Sequence, residues 1–270
     1  MGNQLPIGIF DSGIGGLSLL REVQAKLPSE HLIYIADTAY APYGDKTAEV
    51  IEARAFALTQ YLIEQGAKVI LVACNTATVN VINLLRVEFP NIPFVGIEPA
   101  VKPAILDKNT KVVTVWATAK TATSQRLKDL VDTHYCPQTK VHIQACHGLA
   151  SEIEKGDIAS ISLEQLVTEY LNELVVTGTD TLVLACTHYP FVLPVIEAIW
   201  PTLSQQSLTV IEPAGAVVKH LKHILNDKTL LNSDEFEGET CYLTTGVAGA
   251  LKQSILSLFN KNVSVDKIEV

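Results

Sequence analysis

Two short segments of this 270-residue chain, VILVACNTATVN at residues 69–80 and TLVLACTHYPFV at residues 181–192, share one pattern. In each, a run of apolar residues rich in valine and leucine ends at Ala-Cys and continues into Asn or Thr. Such a run is typical of a buried strand, and the helical pattern that follows favours a parallel α/β sheet. The repetition, with a thiol at the same place, indicates a structural unit that occurs twice.

Strand-like runs alternate with longer helical patterns along the whole chain, as in other parallel α/β proteins. Four runs in the first half have counterparts, in the same order, in the second half, and the fourth runs of both halves end in Ile-Glu-Pro-Ala, at 97–100 and 211–214. The runs end at or beside Asp11, Asp37, Cys74 and Glu98 in the first half, and Thr118, Cys146, Cys186 and Glu212 in the second. The chain is therefore predicted to be a duplication.

The predicted fold class is α/β, with two similar domains of mainly parallel sheets flanked by helices and an active site in the cleft between them. The first domain comprises residues 1–99 and a returning tail, 214–270; the second comprises residues 100–213. In open α/β sheets, ligands bind beyond the carboxyl ends of the strands. The polar residues that end the strands are therefore the candidates for chemistry.

Three helices are predicted in detail. Residues 47–66 form a helix that ends at Gly66 and whose apolar face comprises Val50, Ala53, Ala57, Tyr61 and Leu62. Residues 162–178 form a second one, which precedes the strand TLVLA. The tail segment AVVKHLKHIL is predicted to form a helix that covers the first domain.

Composition limits the classes of function. The net charge is −9, from 20 basic and 29 acidic residues without a basic cluster, which disfavours nucleic acid as a partner. No apolar run approaches the roughly 18 residues of a membrane span, and the N-terminus lacks the pattern of a signal peptide. Five widely spaced cysteines do not suggest a disulfide framework. We expect a soluble cytoplasmic protein.

Cys74 and Cys186 each lie between a buried strand and the start of a helix, where the positive end of the helix dipole lowers the pKa of a thiol. Asn75 or Thr76 could cap the first of these helices and Thr187 the second. A single buried cysteine is usually core filler, but two at equivalent places favour a function. Two thiols on opposite sides of a carbanion can remove a proton from one face and return one to the other, which inverts a stereocentre. Cys136 and Cys241 are read as structural, and Cys146 at most as a lining residue.

Four motifs together resemble the glutamate racemases, within the cofactor-independent aspartate/glutamate racemase superfamily: FDSGIGGLSLL (10–20), DTAYAPYG (37–44), VACNTAT (72–78) and LACTHYP (184–190). The resemblance implies a two-domain α/β enzyme that interconverts L- and D-glutamate with two thiols, without cofactor or metal, and supplies D-glutamate for peptidoglycan synthesis. It also implies a homodimer and, as in some members, regulation by a peptidoglycan precursor. No membrane or nucleic acid partner is expected.

The resemblance also assigns roles to individual residues. Cys186 corresponds to the thiol that deprotonates L-glutamate and Cys74 to the thiol that deprotonates D-glutamate. Asp11 corresponds to a carboxylate near the first thiol, His188 to an imidazole near the second, and Glu154 to an assisting carboxylate on that second side. The substrate-binding residues implied are Asp11, Ser12, Pro42, Tyr43, Gly44, Asn75, Thr76, Thr118, Thr187 and His188. Small polar groups and helix N–H donors could hold both substrate carboxylates without arginine.

Each of these assignments has a structural alternative. Asp11 could be only a cap or Asx turn, Tyr43 and Gly44 only a turn. His188 could be a buried, hydrogen-bonded histidine, and Glu154 a solvated residue on a helix surface. The chain also departs from the family pattern at Lys120, Ala185 and Gly215, where glycine, glycine and glutamate are respectively common. Lys120 matters most, because it adds a cation near the Thr118 loop.

Three other functions stay open from the sequence. One is a racemase for aspartate or another amino acid. Another is a thiol- or zinc-dependent hydrolase that uses Cys186 and His188 with Cys146 and His147, although zinc-type clustering of ligands is not evident. The third is a ligand-binding homologue without activity. No lysine motif for pyridoxal phosphate is present, so no cofactor is expected.

Overall fold

The computed structural model describes residues 4–233 and 237–270, which form two compact units. The first unit contains the chain up to Ile97 and the tail Ala214–Val270; the second contains Glu98–Pro213. Both passages of the chain between units fall within the repeated Ile-Glu-Pro-Ala segments. Within the described residues, no helix is long and apolar enough to cross a membrane.

The first unit is built on one parallel sheet of six strands. Their order is β10-β9-β2-β1-β3-β4, so the tail supplies the two strands at one edge. The strands are β1 Ile7–Asp11, β2 Leu32–Ala36, β3 Val69–Val72, β4 Phe94–Gly96, β9 Thr240–Thr244 and β10 Asp266–Lys267. The helices are α1 Leu17–Lys26, α2 Ala48–Glu64, α3 Asn75–Glu88, α10 Ala214–Asp227 and α11 Ala248–Phe259, with a 3₁₀ turn at Tyr43–Asp45.

The second unit is built on a four-stranded parallel sheet in the order β6-β5-β7-β8. Its strands are β5 Val112–Ala117, β6 Lys140–Ala145, β7 Thr181–Ala185 and β8 Thr209–Ile211. Its helices are α4 Val101–Leu106, α5 Ala119–Thr123, α6 Gln125–Thr133, α7 Leu149–Glu154, α8 Ile161–Thr177 and α9 Leu193–Leu203, with a 3₁₀ turn at Tyr189–Val192. The order matches β2-β1-β3-β4 of the first unit, and all eight strands predicted from the repeat are confirmed.

The central strands of both sheets are buried on both faces. All five residues of β1 and β7 and all four of β3 are buried, because helices cover each face of the sheet. The carboxyl ends of β1 and β3 carry Asp11 and Cys74, and those of β5 and β7 carry Thr118 and Cys186. The continuous apolar runs seen in the sequence are therefore the consequence of two-sided burial.

Helix α2 forms where it is expected but presents a different face to the core. Its apolar buried residues are Ile51, Ala55, Leu58 and Leu62, and Arg54 and Thr59 are buried with them. The predicted face was wrong at Val50, Ala53, Ala57 and Tyr61, which are exposed or half-buried. The reason is tertiary, because Arg54 points inward to an ion pair with Asp37.

The tail adds more to the first unit than its predicted helix. Helix α10 packs against α1 and β4, as expected for a covering helix. Strands β9 and β10 were not predicted, and β9 pairs with β2 over its whole length. Only Tyr242, Leu243 and Thr244 of β9 are buried, and the segment TCYLT lacks the long apolar run by which the central strands were recognised.

Candidate active site

Cys74 lies at the N-terminus of α3 and caps that helix with its own sulfur. The Ala77 amide donates to Cys74 Sγ at 3.5 Å, and the thiol lies 3.7 Å from Ser12 Oγ. The expectation that Asn75 or Thr76 would be the cap was therefore wrong, because both residues already belong to the helix. The thiol is 4% exposed and lies in the partial positive field of the helix end, which favours a thiolate.

Asp11 ends β1 and organises the loop that leads into α1. Its Oδ2 accepts hydrogen bonds from the amides of Gly16 at 2.7 Å and Gly13 at 3.4 Å. These contacts are those of the cap and Asx-turn alternative. Its role beside the first thiol stays a prediction, and the same buried loop also carries Ser12 to the sulfur of Cys74.

Asn75, next to the thiol, is the most suggestive binding residue of the first unit. Its side chain is buried, yet neither its amide oxygen nor its amide nitrogen has a hydrogen-bond partner among the described residues. Buried amides are almost always hydrogen-bonded, so unmatched groups beside a candidate catalytic thiol point to a polar ligand. Thr76 is also buried, and its carbonyl accepts from Asn80 Nδ2 at 2.7 Å.

In the loop Pro42–Gly44, the side chain of Tyr43 is engaged inside the first unit. The Tyr43 hydroxyl donates to Asp37 Oδ2 at 2.5 Å, and the ring is fully buried in the core cluster that contains Cys74. Burial, and next the negative charge of Asp37, raise the pKa of Tyr43 well above its usual value, so the hydroxyl stays protonated. The side chain of Tyr43 is therefore occupied, and substrate binding by this loop would fall to its peptide groups. The amides of Tyr43 and Gly44 can donate, whereas Pro42 has no N–H and offers only its carbonyl.

In the second unit, the structure brings three of the predicted site residues together. Cys186 Sγ lies 3.7 Å from His188 Nδ1, and His188 Nε2 lies 2.6 Å from Glu154 Oε2. Glu154 is the last residue of α7. Because its carboxylate pairs with the buried His188, it is not merely a solvated residue on a helix surface. The arrangement is a thiol, an imidazole and a carboxylate in series, a pattern that supports proton transfer at sulfur.

The charge state of His188 follows from this series. Burial opposes the charged form, but hydrogen bonds and charge interactions with Cys186 and Glu154 outweigh it and raise the pKa of His188 well above its usual value. A protonated imidazole stabilises a neighbouring thiolate by both charge and hydrogen bonding. His188 therefore presents a charged imidazole to the sulfur of Cys186 at 3.7 Å.

The remaining predicted residues of the second unit have simpler places. Thr118 caps α5, with its Oγ1 accepting from the Thr121 amide at 3.4 Å. Thr187 is buried beside Cys186, but the following 3₁₀ turn begins after His188, which lies at its N-cap, so the predicted cap at Thr187 was wrong. Lys120 is half-buried on the short helix α5.

The other cysteines are unlike the two candidate thiols. All five are free; Cys136 is half-buried and Cys241 exposed. Burial, and then the nearby Cys186, raise the pKa of Cys146 well above its usual value, so that thiol stays neutral. The part of the chain that the structure describes contains no group of three or more His, Cys, Asp or Glu residues arranged to hold a metal.

One polar network beside the site was missed by sequence reasoning. Asp37 was recognised as a strand end, but its partners Arg54 and Thr245 were not. Arg54 follows Ile51 by three residues and precedes Leu58 by four, which places it on the apolar face of α2. That spacing was the available signal, whereas nothing local marks Thr245.

Comparisons with known proteins show the family and the fold of the chain. The family described as Asp/Glu/Hydantoin racemase matches residues 17–221 of the chain. A glutamate racemase from Methylococcus capsulatus is 41% identical over 258 residues, which cover 96% of this chain and 93% of that protein. The crystal structure of glutamate racemase isoform RacE1 from Bacillus anthracis is similar with a TM-score of 0.87 at 30% identity, covering 99% of this chain and 98% of that one. The structure of glutamate racemase from Francisella tularensis, solved in complex with D-glutamate, is similar with a TM-score of 0.84 at 28% identity. The match covers 99% of this chain and 98% of that one.

Proposed function

Because the chain belongs to the Asp/Glu/hydantoin racemase family, and is thereby an amino-acid racemase, we propose that it interconverts L- and D-glutamate with Cys74 and Cys186 as the two acid/base groups. The observation that carries the proposal is the pair of buried thiols at equivalent strand ends of the two units. Both follow central strands, β3 and β7, which hold corresponding places in the orders β2-β1-β3-β4 and β6-β5-β7-β8. A single catalytic thiol would not account for this repetition.

The proposed reaction moves one proton onto and one proton off the α-carbon. The Cys186 thiolate takes the α-proton of L-glutamate, and the electron pair left on carbon is shared with the α-carboxylate. The Cys74 thiol then donates its proton to the opposite face, which yields D-glutamate and leaves Cys74 as thiolate. The enzyme is now in the state that accepts D-glutamate, so the roles exchange with direction.

The surroundings of each sulfur support its share of this cycle. The protonated His188 stabilises the Cys186 thiolate, and Glu154 holds His188 in that charge state. Glu154 acts through His188 and is therefore a positioning residue. For Cys74, the N-terminus of α3 provides a partial positive charge and an amide donor, and the Ser12 hydroxyl provides a polar contact to the sulfur. Neither sulfur depends on a metal or a cofactor in this scheme.

Substrate binding is assigned to small polar groups. Asn75 presents a buried amide whose hydrogen-bonding groups have no partner among the described residues, and it can bind the amino or a carboxylate group. Thr76, Thr118 and Thr187 are buried hydroxyl residues next to the strand ends. Together with the amides of Tyr43 and Gly44, they would hold a dicarboxylate through hydrogen bonds, and the D-glutamate product would supply peptidoglycan synthesis.

Deuterium exchange in the two cysteine variants tests the proposal. Cys74→Ser retains the base for L-glutamate only, so in D₂O it should place deuterium on the α-carbon of L-glutamate without inversion. Cys186→Ser should do the same with D-glutamate alone. Serine is a far weaker acid than cysteine, so net racemisation should fall by at least about a thousandfold in both.

Wild-type protein is the control and should exchange and invert both enantiomers. Proton NMR follows exchange, and circular dichroism follows inversion. Near-normal racemisation by either variant would remove that thiol from the reaction. Turnover of aspartate but not glutamate by the wild type would instead support the alternative of another amino-acid racemase.

A further inference from the structure

Asp37, at the carboxyl end of β2, is fully buried and has side-chain partners from three different segments of the first unit. Arg54 of α2 donates to both carboxylate oxygens, from Nη2 to Oδ1 at 2.9 Å and from Nε to Oδ2 at 3.0 Å. Tyr43 donates to Oδ2 at 2.5 Å, and Thr245, just after β9, donates to Oδ1 at 2.7 Å. Four donors occupy the hydrogen-bond acceptor sites of this carboxylate, so none is left to bind a substrate.

Arg54 is itself held in place. The ring of Tyr40 stacks over its guanidinium, with the central carbon 4.2 Å from the ring centroid, and Nη1 donates to the main-chain oxygen of Val270 at 2.5 Å. Burial opposes the charge of Arg54, but the hydrogen bonds to Asp37 and the interaction with its charge raise the pKa of Arg54, so the guanidinium stays charged. A planar guanidinium in a two-bonded pair has a single favourable orientation.

The tail strand β9 holds the same loop from its other side. Thr244 Oγ1 lies 2.6 Å from Thr38 Oγ1, and Thr245 Oγ1 accepts from the Ala39 amide at 3.2 Å. Gly246 permits this approach, because a Cβ there would lie 2.3 Å from Thr38 Oγ1. The loop from Asp37 to Gly44 is therefore held by an ion pair, hydroxyl contacts and a glycine, all from residues distant in sequence.

We propose that Asp37 and Arg54 are positioning residues for the substrate-binding loop Pro42–Gly44, acting through the hydrogen bond from Tyr43, with Thr245 as the contact from the tail. The inference rests on the proposed function, since that function assigns substrate binding to the peptide groups of this loop. Asp37 and Arg54 are buried and do not touch the substrate. Their effect is to keep the peptide groups of the loop in the orientation that binds glutamate.

Steady-state kinetics with both enantiomers test the proposal. Arg54→Lys keeps the charge but loses the two-bonded geometry, so KM for L- and D-glutamate should rise about tenfold, with kcat within about threefold of wild type. Tyr43→Phe removes only the hydroxyl that reaches Asp37, and its KM should rise about fivefold. A merely structural role would instead lower the active fraction, and hence kcat, without changing KM.

Matched variants supply the controls. Thr245→Ser keeps the hydroxyl and should retain the wild-type KM, whereas Thr245→Val should raise it. Tyr242→Phe removes a hydroxyl that contacts Gln24 elsewhere on β9, and should leave KM unchanged. Thermal unfolding confirms that each variant is folded; if Arg54→Lys does not fold, Tyr43→Phe and the Thr245 pair decide.

Two results would overturn the positioning role: unchanged KM in both folded Tyr43→Phe and Thr245→Val, or an equal rise in Tyr242→Phe. Wild-type turnover separates this failure from failure of the proposed function. If the wild type does not racemise glutamate, the proposed function falls. If the wild type racemises glutamate and the variants have the same KM as the wild type, only the positioning role falls.

Discussion

At the scale of one residue, the buried side chain of Asn75 lowers the stability of the folded protein. Its buried amide has unmatched donors and acceptors among the described residues, beside the thiol of Cys74. Such a group costs about 1–3 kcal/mol in the folded protein and is retained where a ligand uses it. Under the proposed function, substrate binding would account for a residue that packing alone would not favour.

We expect Asn75→Leu to separate these two effects. The apolar side chain of similar size removes the unmatched amide, so the free energy of unfolding should rise by about 1 kcal/mol while KM for glutamate rises at least about tenfold. Urea unfolding and steady-state kinetics measure the two quantities. A variant that is less stable than wild type with an unchanged KM would show that Asn75 serves packing.

His188 and Glu154 give a prediction about pH. Glu154→Gln removes a negative charge from Nε2 of His188, so the raised pKa of that histidine should fall. The imidazole then loses its proton at a lower pH, and the alkaline decline of kcat/KM should begin about one pH unit or more below that of wild type.

Glu154→Asp, which keeps the charge, is the control and should move the decline less. The readout is the pH profile of kcat/KM in both directions. A uniform loss of activity at every pH, with the shape of the profile retained, would contradict this role and leave Glu154 as a structural partner of His188.

At the scale of secondary-structure elements, a buried polar cluster attaches the returning tail. Lys68 Nζ, just before β3, lies 2.6 Å from Glu30 Oε2 and donates to Asn232 Oδ1 at 2.9 Å. Asn232 in turn donates its amide to Glu30 Oε1 at 2.9 Å. Gly238 passes so close to Glu30 that a Cβ would lie 2.1 Å from its carbonyl oxygen. The tail is thus fixed to the start of β2 by charge and by close backbone approach.

Lys68→Met should lower the free energy of unfolding by about 3–5 kcal/mol, because it leaves the Glu30 carboxylate buried without its cation. Adding Glu30→Gln to that variant should restore part of the loss. Urea unfolding provides the measurement, and Lys155→Met, which breaks the exposed pair with Glu152, is the control that should change little. If Lys68→Met and Lys155→Met lowered the free energy of unfolding equally, burial of the Lys68–Glu30 pair would not be what makes it important.

At the scale of the whole molecule, the fold and the family could be predicted from the sequence in unusual detail. Buried parallel strands are apolar along their whole length, so β1, β3, β5 and β7 were evident as continuous runs. Four strands of the first sheet share the order of the second sheet, in agreement with the repeat read from the paired segments. The comparisons confirm the family read from the four motifs.

Two errors occurred where residues are placed by a partner in another element, and a third concerns the cap of one helix. The buried face of α2 was predicted one position off, because Arg54 enters the core to meet Asp37. Strands β9 and β10 were missed, because neither contains a long apolar run. Each is a strand through its pairing, β9 with β2 and β10 with β9. The cap of α3 was assigned to Asn75 or Thr76, whereas the sulfur of Cys74 itself accepts from the helix.

Periodicity and short motifs are local properties, so eight of the strands, the repeat and the two thiols could be identified from the order of residues alone. The contact of Glu154 with His188, the inward turn of Tyr43 and the unmatched amide of Asn75 could not. Each depends on which side chains meet once strands distant in sequence are paired and packed. Hydrogen bonds and ion pairs act over a few ångströms, so folding alone determines which of the candidate groups can act together.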